Sequence, residues 1–298
     1  MAKTANKGVV GNIKLSGYDA LFKSSGSENA AEHIIEASLS DLHDFNDHPF
    51  RVVDDEKMEE TVESIRQYGV LVPGIARPRK GGGYEIIAGH RRKHASELAG
   101  KETMPIVVRD YSDDEATIIM VDSNIQREDI LPSEKARAYR MKYEALKHQG
   151  KKAGGRTIEE MGEESGESAK TVQRYIWLSR LSYELLAMVD MKKLGFMQGL
   201  DISFLDSEAQ KWVSDLLEEN SISVTTSQSG KLKEYGKNGE LTSAMVNVIL
   251  SEEKPKERKV TIKADKINQY FEGDYSNEDI EKIILDLLEK WKGERTVR

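Results

Sequence analysis

Apolar positions in the first half of the chain alternate between helical and strand spacing. Met58, Val62 and Ile65 recur at i, i+4 and i+7 with Gly69 as a stop, which predicts a helix of about four turns. GIARPR and YEIIAG flank the turn-forming KGGG and predict two strands joined by a tight turn. RRKHASELA predicts a short helix, PIVVRD a strand and DDEATIIMVDSN a helix. The pattern predicts one small α/β domain over residues 34–127.

Strand spacing disappears beyond Leu131-Pro132, and the chain has helical spacing to about residue 250. Residues 128–250 are therefore predicted to form an all-α domain, with a helix-turn-helix at 157–181. Residues 1–33 are rich in Gly, Ser, Asn and Lys and are interpreted as a disordered leader. After a charged linker, residues 255–298 are predicted to form a small strand-helix module. The predicted fold class is α+β.

The helix-turn-helix prediction depends on small residues between two amphipathic stretches of TIEEMGEESGESAKTVQRYIWLSRL. Gly162 lets the helices approach, Gly166 takes the positive φ of the turn, and Ser168 caps the second helix. Val172 and Ile176 fall on its inward face. The residues predicted to contact DNA are Ser168, Lys170, Thr171, Gln173 and Arg174. An ordinary helical hairpin is the alternative.

The net charge of −8 means that any DNA-binding surface must be local. Residues 133–156 are strongly basic, with only Glu134 and Glu144 as acids; their basic residues are Lys135, Arg137, Arg140, Lys142, Lys147, Lys151, Lys152 and Arg156. The first helix of the motif is acidic, carrying Glu159, Glu160, Glu163, Glu164 and Glu167. We therefore expect these glutamates to point away from DNA, and the basic segment with Arg174 to supply the phosphate contacts.

The last predicted helix carries one wide apolar stripe, formed by Ile280, Ile283, Ile284, Leu287, Leu288 and Trp291. A stripe of this width needs a partner surface. Dimerisation is one interpretation, and packing on the segment VTIKADKINQYF of the same chain is the other.

Two donor-rich segments predict an anion site in the α/β domain. GHRRKHASELAG places a glycine and two arginines at the start of a helix, where free N–H groups and a partial positive charge attract phosphate. DSNIQREDILPSEKARAY offers Asn124, Gln126 and Arg127 before a Pro-marked helix start. The two segments could bind one polyphosphate, although an arginine pair at a helix start is also common without a ligand.

The same segments resemble the G-E-R-R-x-x-A and E-N-x-Q-R boxes of the ParB/KorB partition family, in that order. HPFR at 48–51, YGVLVPGIARP at 68–78 and LGFMQGLDISFL at 194–205 also resemble stretches of that family. The resemblance implies a ParB/sulfiredoxin-like α/β domain and a dimeric DNA clamp that binds CTP and works with a ParA-type ATPase on double-stranded DNA. The nucleotide-contacting positions carried over are Gly89, His90, Arg91, Arg92, Ser123, Asn124, Gln126 and Arg127.

Two positions depart from the family pattern, because His90 and Ser123 stand where it has glutamates. Carboxylates are natural Mg²⁺ ligands, so we expect CTP hydrolysis to be slow or absent without these two. The phosphate donors are still present, and we therefore expect CTP to bind. Asp122 is the candidate substitute ligand for Mg²⁺. For His90 we favour an imidazole that donates to a phosphate oxygen over a catalytic role.

Three further expectations follow from composition and resemblance. A KorB-like transcriptional regulator of a mobile element is the nearest alternative function, and a small-molecule kinase on the same α/β fold is a more distant one. The chain has no cysteine, which excludes thiol chemistry and a disulfide framework. No apolar run is long enough for a membrane span, so we expect a cytoplasmic, DNA-associated protein.

Overall fold

The computed structural model describes residues 34–127, 129–150, 154–220, 223–252, 263–271 and 275–296. The predicted leader, Lys151, Lys152 and residues 255–262 of the predicted C-terminal module lie outside these residues. The described chain divides into two units, one ending at Glu252 and the other running from Glu253 to Arg298. None of the described helices is long and apolar enough to cross a membrane.

The first unit begins with a five-stranded mixed sheet whose strands are short. They are β1 Ile34–Ser38, β2 Leu42–Asp44, β3 Gly74–Pro78, β4 Tyr84–Ala88 and β5 Thr103–Val108. Their order is β1-β5-β3-β4-β2, with antiparallel pairing in β1/β5 and β3/β4 and parallel pairing in β5/β3 and β4/β2. Consecutive residues of the central strands, Ile75 and Ala76 in β3 and Ile86 to Ala88 in β4, are buried, which explains the unbroken apolar runs at these positions.

Three helices complete the α/β part: α1 Glu56–Tyr68, α2 His90–Leu98 and α3 Asp113–Asp122. The predicted helices and strands of this region are confirmed. Helix α1 begins where the Asp55 side chain accepts a hydrogen bond from the N–H of Met58. Its predicted inward residues Met58, Val62 and Ile65 are buried against Ala95 of α2. These contacts fix the start of α2 beside the ends of the strands.

The remaining chain of the first unit is helical, as predicted. Its helices are α4 Pro132–His148, α5 Gly155–Ser165, α6 Ala169–Leu178, α7 Tyr183–Asp190, α8 Phe196–Ile202, α9 Ser207–Asn220, α10 Thr226–Asn238 and α11 Ser243–Ser251. One hydrophobic cluster contains Ile87 of the sheet, Met120 of α3, Tyr139 of α4 and Val172 of α6. The boundary predicted at residue 127 therefore crosses a shared core, because α4 packs against both parts.

The second unit is described at two helices, α12 Ala264–Ile267 and α13 Asn277–Thr296. Residues 264–267 belong to the segment that was predicted to begin with a strand, and they form a short helix instead. In α13 the side chains of Leu287, Leu288 and Trp291 are each more than half exposed. The apolar stripe predicted from sequence is therefore largely on the surface of this unit.

Candidate functional site

The two donor-rich segments meet at one open cleft of the α/β part. Gly89, His90, Arg91, Arg92, Ser123, Asn124 and Arg127 line it together with His48, Phe50, Arg51, Val52 and Ala88. Gln126 lies in an adjoining cleft that shares the side chains of Arg51, Arg91 and Arg127. The structure thus brings the eight carried-over positions into two neighbouring clefts.

The cleft wall includes the start of α2, because Gly89 turns the chain from β4 into the helix. Gly89 has φ +116°, in the left-handed region that favours glycine. A Cβ atom there would lie 3.2 Å from the Cα atom of Gly74 in the neighbouring strand. The glycine therefore allows α2 to start close to the sheet, where its first N–H groups face an incoming anion.

Two arginines give the cleft its positive charge. Arg91 Nη2 lies 3.0 Å from Asp55 Oδ1, and this hydrogen bond is the main cause of the lowered pKa of Asp55. Arg127 contacts Asn124 with Nη1 3.5 Å from Oδ1. Burial lowers the pKa of Arg127, and the nearby positive charge of Arg91 lowers it further. Two guanidinium groups that repel one another in this way are stabilised by a shared anion.

Two of the predicted phosphate donors are used inside the fold. Arg92 Nη1 donates to the carbonyl oxygen of Pro73 at 2.7 Å and also to that of Val72. Asn124 Nδ2 donates to the carbonyl oxygen of Met120 at 2.8 Å, which fixes its amide against the end of α3. Both residues line the cleft, but in this structure their donors hold the protein's own backbone.

His90 and His48 lie side by side in the cleft wall. Their ring centroids are 4.0 Å apart, and the Nε2 atom of each is buried with no hydrogen-bond partner. Burial, and after it the neighbouring His48, lower the pKa of His90 to about 3. His90 is therefore neutral at physiological pH. The expectation that its imidazole donates to phosphate stays a prediction.

Asp122 does not line the cleft. Its Oδ1 atom lies 2.5 Å from Nζ of Lys142, a lysine whose side chain is only 3% exposed. Burial raises the pKa of Asp122. No group of three or more potential metal-ligating His, Cys, Asp or Glu side chains occurs among the described residues. The substitution of Asp122 for a missing Mg²⁺ ligand stays a prediction, and the ion pair with Lys142 argues against it.

The helix-turn-helix geometry agrees with the sequence prediction. Gly166 has φ +73°, and the N–H of Glu167 donates to the carbonyl oxygen of Gly162 at 2.8 Å. A Cβ atom on Gly162 would lie 2.7 Å from the carbonyl oxygen of Glu167, so only glycine fits. Ser168 caps α6 by accepting from the N–H of Thr171 at 3.1 Å. Val172 is fully buried, as predicted.

The predicted DNA-contacting residues share one end of α6, and they differ in exposure. Ser168 and Lys170 are exposed, whereas Thr171, Gln173 and Arg174 are partly buried. The hydroxyls of Ser168 and Thr171 are 2.8 Å apart and bind one another. The hydroxyl groups of Ser168 and Thr171 are thus partly occupied by each other at the start of α6. Lys170, Gln173 and Arg174 present the chemistry that DNA bases and phosphates require.

The acidic helix and the basic segment neutralise one another, which corrects the expected role of the basic segment. Lys142 binds Glu164, with Nζ 2.5 Å from Oε2, and Lys135 binds Glu167. Tyr139 also donates to Glu167 at 3.0 Å. Glu164 and Glu167 therefore take two of the lysines that were predicted to contact phosphate.

His48, Phe50 and Arg51 were part of a family-like segment but were not predicted as site residues. The His48 ring is held by its Nδ1 atom, 2.7 Å from the carbonyl oxygen of Phe50. The backbone N–H of Arg51 donates to Glu134 Oε1 at 2.9 Å, which ties the segment to α4. The HPFR segment itself was the signal that could have identified them.

Comparison with known proteins agrees with these features. Residues 23–125 match the ParB N-terminal domain. The chain is 32% identical over 189 residues to a probable chromosome 1-partitioning protein ParB of Deinococcus radiodurans; the match spans 63% of this chain and 62% of that protein's own length.

Two solved structures of C-terminally truncated ParB from Caulobacter crescentus are also similar. One is complexed to the centromeric parS site, with 24% identity, a TM-score of 0.41 and coverage of 68% of this chain and 99% of that one. The other is complexed with CTP-gamma-S, with 28% identity, a TM-score of 0.30 and coverage of 62% and 99%. The chain is thus similar to the ParB N-terminal domain over residues 23–125 and to ParB partition proteins over somewhat less than two thirds of its length.

Proposed function

We propose that this protein is a sequence-specific DNA-binding partition protein that binds CTP in its α/β part and acts as a dimeric clamp. The observation that carries the proposal is the presence, in one unit, of an arginine-lined cleft at a glycine-led helix start and a capped helix-turn-helix. A ParA-type ATPase as partner is part of the same proposal and rests on the family resemblance alone.

In the nucleotide site, Arg91, Arg127 and Arg51 would bind the phosphates. Arg91 and Arg127 line the cleft, and the positive charge of Arg91 lowers the pKa of Arg127. Arg51 also lines the cleft, and its side chain is 56% exposed. The N–H groups at the start of α2 would add hydrogen bonds to phosphate oxygens. Arg92 and Asn124 would instead hold the walls in place. The preference for cytosine is taken from the family resemblance.

The residues present do not fit a Mg²⁺ ion. No aspartate or glutamate lines the cleft, positions 90 and 123 carry imidazole and hydroxyl groups, and Asp122 is bound to Lys142. Hydrolysis needs a held cation and an oriented water. We therefore propose that CTP acts as a bound ligand whose turnover is slow or absent.

Calorimetry with CTP, ATP and GTP tests the nucleotide site. CTP is expected to bind the full chain, more tightly with cognate DNA, and Arg91→Ala is expected to remove binding because it deletes a charged donor from the cleft. Arg79→Ala, in the exposed turn after β3, is the matched control. No heat with CTP, with or without cognate DNA, refutes this part.

In the DNA site, α6 would enter the major groove. Gln173→Ala or Arg174→Ala is expected to weaken specific binding by roughly 1 to 3 kcal/mol if it removes a good base contact. A footprinting titration measures this loss, with Lys211→Ala on α9 as the control. Unchanged affinity and selectivity in both recognition-helix variants would remove α6 from the proposal.

The alternative of a KorB-like regulator shares these sites. Genome-wide mapping of bound DNA separates the two: one site with broad flanking occupancy supports a loading clamp, and scattered sharp promoter sites support a repressor.

Dimerisation is proposed to involve α13, because its Leu287, Leu288 and Trp291 side chains are more than half exposed.

A further inference from the structure

The face of α6 that carries the proposed DNA-reading residues continues beyond them. Lys170, Arg174 and Trp177 follow one another at i, i+4 and i+7, which places them on one side of the helix. The chain keeps a helical turn past the end of α6, because the N–H of Arg180 donates to the carbonyl oxygen of Trp177 at 3.0 Å. Arg180 is exposed and lies within about 80° of Lys170 around the helix axis. The face therefore extends to Arg180.

An aromatic cluster holds Arg180 at this end of the face. Its Cζ atom lies over the ring of Phe204, 5.7 Å from the centroid, which is a cation–π distance. The rings of Phe204 and Trp177 contact one another edge-on, with centroids 5.4 Å apart. Lys233 also lies over the Phe204 ring, at 4.5 Å, but its Nζ atom is 2.9 Å from Asp201 Oδ1. The carboxylate offsets the charge of Lys233, so Arg180 is the cation of this cluster with charge left for a ligand.

The cations along this face differ from those of the basic segment in their partners. Within the part of the chain that the structure describes, Lys170, Arg174 and Arg180 form no salt bridge. Lys135 and Lys142 of the basic segment are instead bound by glutamates. A cation that no carboxylate neutralises keeps its charge for an incoming phosphate. Arg180 therefore has the chemistry of a phosphate ligand.

The length of α6 determines which part of DNA Arg180 can reach. In helix-turn-helix proteins the N-terminal residues of the recognition helix contact base edges. Ten helical residues rise about 15 Å, whereas the major groove is about 12 Å wide. With Lys170 at the bases, Arg180 would thus lie at the edge of the groove, beside the sugar–phosphate backbone. Contacts to phosphate carry no sequence information, so a contact there adds affinity without selectivity.

We propose that Arg180, held by Phe204 and Trp177, is a phosphate clamp that binds the DNA backbone at the edge of the groove in which α6 lies. The inference rests on the DNA-binding function proposed above, and it gives the two ends of α6 different tasks. Gln173 and Arg174 discriminate between sequences, whereas Arg180 contacts DNA of any sequence. A planar guanidinium can donate two parallel hydrogen bonds to one phosphate, and stacking on an aromatic ring limits its rotation before DNA binds.

The test measures binding of the full chain to two duplexes of equal length, one recovered by genome-wide mapping and one of random sequence. Arg180→Ala should weaken binding to both duplexes by the same factor, because it removes a contact to phosphate. One phosphate contact contributes a slope of about −0.9 in log affinity against log salt, so this factor should fall about threefold between about 50 and 200 mM salt. Arg180→Lys keeps the charge and should retain most of the salt dependence.

The matched control is Lys211→Ala on α9, an exposed lysine paired with Asp215, which should change neither the affinity nor its salt dependence. A folding defect in Arg180→Ala would not imitate the expected result, because it would lower the affinity by a similar factor at both salt concentrations.

Each other outcome decides against the inference in a different way. If Arg180→Ala binds both duplexes as Lys211→Ala does, the clamp is overturned, and the proposed function stands where Gln173→Ala still weakens binding to the recovered duplex. Weakening confined to the recovered duplex shows that Arg180 reads bases, which also overturns the clamp. If the unmodified protein binds neither duplex, the DNA-binding function is refuted and the clamp fails with it.

Discussion

Lys142 joins the end of the α/β part to the helix-turn-helix. Its Nζ atom lies 2.5 Å from Asp122 Oδ1 on α3 and 2.5 Å from Glu164 Oε2 on α5, while the lysine itself belongs to α4. Its side chain is 3% exposed. Replacing it with methionine keeps the packing volume and removes the charge, so Lys142→Met isolates the contribution of this ion pair.

The magnitude follows from the burial of the three groups. Removing one partner of a fully buried pair costs about 3 to 5 kcal/mol, because the other charge is left uncompensated. Asp122 is 32% exposed and Glu164 54% exposed, so water can solvate both carboxylates in part. We therefore expect Lys142→Met to lower the free energy of unfolding by about 2 kcal/mol at pH 8.

The loss should also depend on pH. Burial raises the pKa of Asp122 in the folded protein even with Lys142 present. A carboxyl group whose pKa is higher in the folded state than in the unfolded state stabilises the fold fully at pH values below its unfolded-state pKa. This stabilisation is lost as the pH rises through its folded-state pKa. Without Lys142 the folded pKa of Asp122 rises further. The deficit of Lys142→Met should therefore be largest at pH 8 and shrink toward pH 5, where Asp122 is increasingly protonated.

Urea unfolding of the full chain, followed by circular dichroism, measures this deficit. The matched control is Lys147→Met on the same helix, whose partner Glu144 is 42% exposed, and it should cost less than about 0.5 kcal/mol. Adding Asp122→Asn to Lys142→Met should restore part of the stability. Equal losses for Lys142→Met and Lys147→Met, or a deficit independent of pH, would refute the electrostatic reasoning.

Two further predictions concern the turn and the second unit. Gly162→Val should lower the free energy of unfolding by about 2 kcal/mol and weaken DNA binding, because its Cβ would lie 2.7 Å from the carbonyl oxygen of Glu167. The control is Gly230→Ala, because no atom lies within 4 Å of its added Cβ. A Gly162→Val variant as stable as Gly230→Ala in urea would contradict the close approach. Leu287→Asp should convert a dimer to a monomer in light scattering, whereas Leu285→Asp, off the apolar stripe, should not. Dimers that survive Leu287→Asp would exclude α13 as the interface.

The fold of the first unit was predictable where local signals and burial agree. The spacing of Met58, Val62 and Ile65 and the stop at Gly69 both indicated α1, and the structure contains both. The turn at Gly166 was predictable because few other residues adopt its positive φ. Strand β2 was not predicted, since its three residues are too few to show an alternation.

The composition of the site could be predicted only in part. Sequence motifs identified the residues of the two boxes, and the structure places them around neighbouring clefts. The position of His48 beside His90 depends on how the loop before α1 packs on α2, over forty residues away in the chain. No periodicity or local propensity contains that information, so the imidazole pair is visible only in three dimensions.

The same limit explains the error about the basic segment. Its lysines look alike in sequence, but Lys142 is buried in an ion pair and Arg140 is exposed, because successive turns of α4 face different surroundings. Net charge therefore could not reveal which cations remain for DNA. The glutamates of α5 and the turn that follows it determine this, because they bind Lys135 and Lys142 and leave Lys170 and Arg174 at the start of α6. Lys170 and Arg174 thus carry positive charge on the helix that we propose to read DNA, although the chain as a whole is acidic.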